Sequence, residues 1–410
     1  MAERMTNRWR GCWRLACRVT RLSIMGMAGS LWAAESAAPA VSTSPSNAST
    51  VVALTYTEVP YGVNNEGVSM AERAEPFKHE PTSTGKVIRG TLNFGGTNTY
   101  AFLWRYDEGK LALDLNQNQD LTDDPAGTFS RQSLGPLNYQ TFTNVHLNLG
   151  SPVGICPVAT DLHFWHYGYG SQPGCSAELH SFWQGKVTLA GVDWQVGLVP
   201  NFWRPMEVCD GDALLLRPWS HHQEAFGGSG PTFDAPIFAR KVFFGGHAYE
   251  LHWRPGAETV QMKPALEFTE QAVPLGEVQI TGQFIKRLNL SGQYLAIFDQ
   301  PAASVKLPTG SYSQSGLLLE KDGAQAYPTV ASGARNLTVT AQSPTVLAVG
   351  GPLTNSVTAT RRGEDLTLNY RIIGAGGQVY QMATVNRAHP PEFAIYKGER
   401  KIASGNFEFG

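Results

Sequence analysis

The chain has 410 residues, of which 16% are charged, with 32 Lys and Arg against 34 Asp and Glu. So low and balanced a charge leaves no basic footprint for nucleic acid or for anionic lipid. The length exceeds what one hydrophobic core usually occupies, so two domains are the natural expectation.

The first 34 residues read as a secretory signal peptide. Arg4, Arg8, Arg10, Arg14, Arg18 and Arg21 form a basic head, and an apolar run from Leu22 to Ala34 ends in small residues. About 13 residues is too short for a membrane span, which needs roughly 20. Cleavage at Ala33 or Ala34 removes six Arg and one Glu, leaving 26 basic against 33 acidic residues, a net charge of −7. No later stretch is apolar for long enough to span a membrane, so an exported protein is expected, in a periplasm, at the cell surface or secreted. Residues 35–55 are rich in Ala, Ser, Thr and Pro. That composition suits a flexible linker.

From residue 56 onward, apolar residues recur with period two, the mark of half-buried strands. Nowhere do they sustain helical spacing over four turns, so the expected fold class is all-β. Residues 90–104, 185–199 and 239–253 share one plan: a strand, a Gly-containing turn, and a second strand bearing aromatic residues. Together they suggest an N-terminal, hairpin-rich sheet domain over residues 56–262. Three prolines and little alternation in residues 254–277 mark the expected junction. Residues 276–410 again give short strands with turn breaks, as a β-sandwich would, closing in a hairpin around Lys397 and Gly398.

One stretch of the first domain concentrates oxygen-bearing side chains. In "LALDLNQNQDLTDDP", Asp114, Asn116, Asn118, Asp120, Thr122, Asp123 and Asp124 fall within eleven positions. Calcium needs six to eight oxygens at short range, and a loop offering one at every second position wraps such an ion. With Asp114 as position one, Asn116, Asn118, Asp120 (through its carbonyl) and Thr122 fall at three, five, seven and nine. Position six is Gln119 instead of Gly, which in a left-handed conformation costs roughly 1 kcal/mol. Position twelve is Pro125 instead of a bidentate Glu, so Asp123 or Asp124 must substitute. The competing reading is an Asx-rich turn that bonds its own backbone.

The stretch "GKLALDLNQNQDLTDDP" resembles one found in exported, β-rich bacterial proteins of unknown function, of planctomycete-like and verrucomicrobial-like kind. In these, a strand ending Leu-x-x-Asp runs into Asn-x-Asn-x-Asp-Leu-Thr-Asp-Asp. Residues 75–125 carry the likeness, and only Asp114 to Asp124 are specific. The resemblance implies export and a β architecture; it implies no known activity.

Other candidates are more diffuse. Cys156, Cys175 and Cys209 follow the signal, and in an oxidising compartment either a Cys156–Cys175 or a Cys175–Cys209 disulfide is expected. His163, His166, His180, His221 and His222 allow a zinc cluster, although no H-E-x-x-H accompanies them. Six of the mature chain's seven tryptophans (Trp165, Trp183, Trp194, Trp203, Trp219 and Trp253) fall within 89 residues. Trp194 and Trp253 alternate with apolar neighbours as core residues do. Trp165, Trp203 and Trp219 sit beside turn residues, where rings can stack on sugars. Glu207, Asp210, Asp212 and Asp234 lie near them as acids for glycoside hydrolysis, with nothing in the sequence to pair them. The reading that follows is an exported, non-enzymatic structural or adhesive β-protein with one calcium-stabilised loop. A glycan-binding or glycan-cleaving protein using residues 165–253 is the alternative. A glycan or envelope component is the expected partner, and nucleic acid is excluded.

Overall fold

The computed structural model describes residues 49–132, 138–151, 154–166, 172–201, 212–224, 236–254, 256, 264–329, 333–383 and 390–407. The expected signal peptide and most of the expected linker lie outside them. The described residues form an all-β fold whose only helical pieces are the single 3-10 turns Pro125–Gly127 and Trp219–His221. None of it is a helix long and apolar enough to cross a membrane. The three expected hairpins form. All three contain consecutive left-handed residues, and two of them turn in just two residues, Ala190–Gly191 (φ +50°, +78°) and Gly245–Gly246 (φ +59°, +85°), which match strand twist. The C-terminal hairpin, Glu392–Lys397 with Arg400–Asn406, turns at Gly398 as expected.

Among the described residues, strand structure reaches into the stretch expected to be linker. Ser49–Ala53 pairs with Ala265–Gln271 and Thr55–Glu58 with Ser181–Leu189. Val52 and Leu54 are both buried. The burial of those two side chains outweighs the surrounding Ser, Thr and Ala composition.

Two cores organise the molecule. The first is enclosed by an eight-stranded sheet, a four-stranded sheet, and one end of a twelve-stranded sheet. The eight-stranded sheet runs in the order Thr128–Ser130, Lys110–Leu113, Thr99–Arg105, Ile88–Asn93, Asn64–Glu72, Gly174–Leu179, Gly154–Trp165, Tyr139–Ser151. It curls so that its last strand meets its third. Trp104 Nε1 donates to Gln140 Oε1 at 2.9 Å, Gln140 Nε2 to the Tyr106 carbonyl at 2.7 Å, and Tyr100 Oη to the Asn148 carbonyl at 2.8 Å. The second core lies between the rest of the twelve-stranded sheet and a three-stranded sheet of Leu275–Ile280, Ser304–Pro308 and Thr345–Leu347.

The twelve-stranded sheet spans the expected junction. Lys241–Phe244 pairs in parallel with Leu295–Asp299, placing Val242 opposite Leu295 and Phe243 opposite Ala296. Alternate residues of these two strands enter different cores: Val242, Phe244, Leu295 and Ile297 the first, Phe243 and Ala296 the second. A polar seam reinforces the boundary. Arg287, 3% exposed, donates from Nη1 to the Leu216 carbonyl at 2.8 Å, and its Nη2 lies 3.4 Å from Asp299 Oδ1. His221 Nδ1 lies 3.0 Å from the other Asp299 oxygen.

The expected disulfide does not form. Cys156 and Cys175 are both free and buried. Cys175 sits opposite Phe164 on the neighbouring strand, eight positions along from Cys156. Eight residues of strand separate two points by roughly 27 Å, whereas a bridge needs Cα atoms within about 7 Å. Cys209 lies outside the described residues, and the free Cys175 thiol, packed in the first core, is not bridged to it.

Two outcomes are expected. Phe243→Ala should destabilise the fold by about 3–5 kcal/mol, and calorimetry should show one melting transition, because each core leans on the same strands. Burial pushes the Cys156 thiol up to about 12 and raises that of Cys175 as well. Iodoacetamide at pH 8 should therefore leave both unlabelled in the folded chain and label both in urea, as read by peptide mass mapping.

Candidate metal centre

The strand Lys110–Leu113 is buried except at Lys110, and the chain leaves it at Asp114, itself 1% exposed. A carboxylate so deep must accept hydrogen bonds. Asp114 Oδ1 accepts the Asn118 amide at 3.0 Å, and Oδ2 accepts the Gln119 amide at 2.7 Å. Both bonds require the backbone to fold back over Asp114. It does so through two left-handed residues, Gln117 (φ +61°) and Gln119 (φ +67°). Position six thus takes the conformation that its place in the loop demands, without a glycine. Gln117 is a second such residue that the spacing does not reveal.

Asx turns follow one after another. Asn116 Oδ1 accepts the Asn118 amide at 3.0 Å, Asn118 Oδ1 the Asp120 amide at 2.7 Å, and Asp120 Oδ1 the Thr122 amide at 2.8 Å. The Thr122 hydroxyl also donates to Asp120 Oδ1, at 2.5 Å. These bonds from Thr122 hold the Asp120 carboxyl below the usual carboxylate range. Asp124 closes the neck, its Oδ2 accepting the Leu115 and Asn116 amides at 2.9 and 3.3 Å. Asp123 receives the side-chain NH₂ groups of Asn116 at 3.3 Å and Asn118 at 2.7 Å, one on each oxygen.

All seven expected residues are therefore drawn into one loop, in two roles. Asp114, with both oxygens, and Asp124, with one, each hold two backbone amides at the base of the loop, while Asn116, Asn118 and Asp120 each hold one amide two residues on. Asn116, Asn118, Asp120, Thr122 and Asp123 present oxygens around the exposed bend. Among the described residues no three His, Cys, Asp or Glu side chains converge as a metal would require. An ion here would need amide and backbone oxygens beside Asp123. The donor set fits a hard cation in kind, but the Asn116, Asn118 and Asp120 oxygens already accept backbone amides, and the side-chain NH₂ groups of Asn116 and Asn118 point at Asp123. Their nitrogens meet Asp123 where positive charge would sit. Both residues are exposed, so turning their amides disturbs no packing, but it gives up the two Asx-turn bonds their oxygens make.

Leu121, an apolar residue in the middle of the polar run, anchors the loop. It is 2% exposed and packs with Phe77, Ala101, Leu103 and Ala112. Its amide donates to the His79 carbonyl at 3.0 Å. The segment beneath is clipped by Arg89, whose Nε and Nη2 reach Glu80 at 2.8 and 2.6 Å, while Glu80 Oε2 accepts the Phe77 amide at 3.1 Å.

The remaining candidates disperse. His163 lies 3.5 Å from Glu178, His180 lies 3.4 Å from Asp161, and His221 pairs with Asp299. His222 Nδ1 is 2.7 Å from the Trp219 carbonyl. Asp212 is fully buried and accepts the Asn201 amide at 2.8 Å. Glu207, Asp210, Asp234 and Trp203 lie outside the described residues. Trp183 and Trp194 are core residues, and Trp253 is half-buried against the first core. Trp219 stacks on the His222 ring at 4.2 Å and carries Lys186 Nζ 5.1 Å from its centroid. Comparison with known proteins adds nothing: no family model, curated protein or solved structure matches the chain.

The Arg89 guanidinium beside Glu80 holds that carboxyl below its usual range. A lowered folded pKa contributes stability above the unfolded value of about 4.3 and loses it as pH falls through the folded value. Glu80→Gln should cost about 1–2 kcal/mol at pH 7. In urea titrations from pH 7 down to pH 3, that deficit should shrink as wild-type Glu80 itself takes up a proton.

Proposed function

We propose that the protein is an exported, non-enzymatic β-protein with a structural or adhesive role at the cell envelope or outside it, its loop 114–124 stabilised by calcium. The basic and apolar head of residues 1–34 supports export. The observation that carries the calcium reading is the left-handed backbone at Gln119. Folding the chain back over Asp114 through a non-glycine residue costs roughly 1–2 kcal/mol, and it brings Asn116, Asn118, Asp120 and Asp123 into one short loop. A plain connection between two strands needs no such detour. With five neutral or singly charged donors and no bidentate Glu, the affinity falls in the weak extracellular range of about 10⁻⁴–10⁻³ M. Calcium supplies a point of positive charge there, and the chain's own contribution is to hold its oxygens at alternate positions.

Calcium at tenfold excess over its dissociation constant should raise stability by about 1.4 kcal/mol over an EDTA control. Asp123→Ala, at an exposed position, should abolish that increment while leaving the calcium-free melting temperature nearly unchanged. Asn118→Asp should lower stability in EDTA, because it replaces a donor to Asp123 with a like charge, and should enlarge the calcium response. A melting curve indifferent to about 10 mM calcium, the top of that affinity range multiplied tenfold, would leave the loop as a self-bonded turn.

A further inference from the structure

The outer face of the eight-stranded sheet, over its last three strands, has the composition of a binding platform. Three strands there, Tyr139–Ser151, Gly154–Trp165 and Gly174–Leu179, lie side by side, and their register sets the outward side chains in rows. The first row is Tyr139, Trp165 and Gly174; the second is Thr141, His163 and Ser176; in the third, Asp161 stands directly opposite Glu178. The intervening residues Phe142, Leu162, Phe164 and Ala177 point into the first core.

The aromatic row is laid flat on the sheet. A Cβ added at Gly174 would come within 2.4 Å of the Trp165 indole, so that half-buried ring lies over bare backbone. Tyr139, 43% exposed, stacks on the His163 imidazole with 21° between the rings. His163 is fixed in turn by the Thr141 hydroxyl, 3.0 Å from its Nδ1. Beyond Ser176 the next strand contributes Gly67, and no atom lies within 4 Å of where its Cβ would stand. Flat rings beside a floor of Gly and Ser leave room for another flat ring.

The third row is polar and carries a charge arrangement that folding alone disfavours. Like charges directly across an antiparallel pair repel, yet Asp161 and Glu178 occupy such a pair. Each has an imidazole nearby, His180 at 3.4 Å from Asp161 and His163 at 3.5 Å from Glu178. Asp161 also accepts the Asn144 amide at 3.0 Å, where a left-handed Asn144 (φ +59°) bulges the neighbouring strand. A depression of about 220 Å³ opens beside this row, lined in part by Glu58, Asp161 and His180. No Lys or Arg occurs between Arg131 and Lys186.

From this juxtaposition we infer that the face formed by Tyr139, Trp165, His163, Ser176, Asp161 and Glu178 binds a neutral oligosaccharide of hexopyranose rings. Sugar C–H faces stack on Trp165 and Tyr139. Hydroxyls donate to the two carboxylates and bond the imidazoles and Ser176. With no Lys or Arg on these three strands and three carboxylates close by, uronic or sulfated glycans are disfavoured. Trp219 is not part of the site, since His222 and Lys186 already engage its ring.

Calorimetric titration of the full chain with cellohexaose, hexa-N-acetylchitohexaose and hexagalacturonate tests the inference. One of the two neutral oligosaccharides should bind with a dissociation constant below about 1 mM, and the acidic one should bind more weakly. Tyr139→Ala and Trp165→Ala should each weaken that binding about tenfold, the order of one aromatic stacking contact. Because Trp165 covers Gly174, Trp165→Phe serves as a second variant that retains the cover, and circular dichroism checks that each variant is folded. The inference is overturned by three results: neither neutral hexasaccharide binds the folded wild type, binding survives both alanine substitutions, or hexagalacturonate binds more tightly. None of these depends on calcium in the 114–124 loop.

Discussion

The parallel pairing of Lys241–Phe244 with Leu295–Asp299 is the constraint on which the rest of the structure hangs. In a strand, neighbours face opposite ways, so Val242 and Phe243 are committed to different cores by the pleat itself. The same holds for Leu295 and Ala296. A one-residue slip in this register would exchange the two sets and drive Phe243 into the space shaped for Val242. Few ladder bonds define the pairing, so the side chains on both faces must specify it. The Arg287–Asp299–His221 seam does so from the flank. It ties the Leu216 carbonyl of one sheet to the strand Ile285–Gly292 of another, and a misregistered strand would strand a buried guanidinium without its acceptors.

This constraint was the least legible part of the fold. Hairpins are local: the alternation of residues 185–199 and the Gly-Gly at 245–246 imply their own partners through turn geometry. A parallel pairing between residues more than fifty positions apart carries no such local mark, and the proline-rich run between them reads as a boundary. The strand at Ser49–Ala53 was hidden for a related reason. Two apolar residues, Val52 and Leu54, decide its placement, and composition averaged over twenty residues dilutes them. The cysteine expectation failed on geometry: nineteen positions would close a convenient loop in a flexible chain, but here much of that span is the extended strand Gly154–Trp165.

The oxygen-rich loop was legible in its positions and less so in its division of labour. Alternate spacing marks Asp114 to Asp124 as one loop and Gln119 as a left-handed position, and it misses the second left-handed residue, Gln117. It does not distinguish a carboxylate that faces outward from one that serves the backbone. Burial makes that distinction. Asp114, at 1% exposure, is consumed by two amides, while Asp123 faces the two asparagines at the surface. The apolar Leu121 was the readable clue to how the loop is anchored, because a wholly solvated turn has no use for a leucine.

The tryptophan-rich region shows the same limit from the other side. Density of aromatic residues says little, because a large ring is equally suited to a core and to a platform. Trp183 and Trp194 fill the first core, and Trp219 is held by a cation and an imidazole. Trp165 differs through what lies across the strand from it. Its partner on one side is Tyr139 and on the other Gly174, a residue with no side chain to compete for the surface. The run Asp161-Leu-His-Phe-Trp165 therefore divides by twos: Leu162 and Phe164 bind the sheet to its core, and Asp161, His163 and Trp165 are left to face whatever the sheet meets outside. The pleat that stabilises the fold thus also sets the spacing of its outer groups. A rigid sheet then presents those groups without the entropy that ordering a loop on binding would cost.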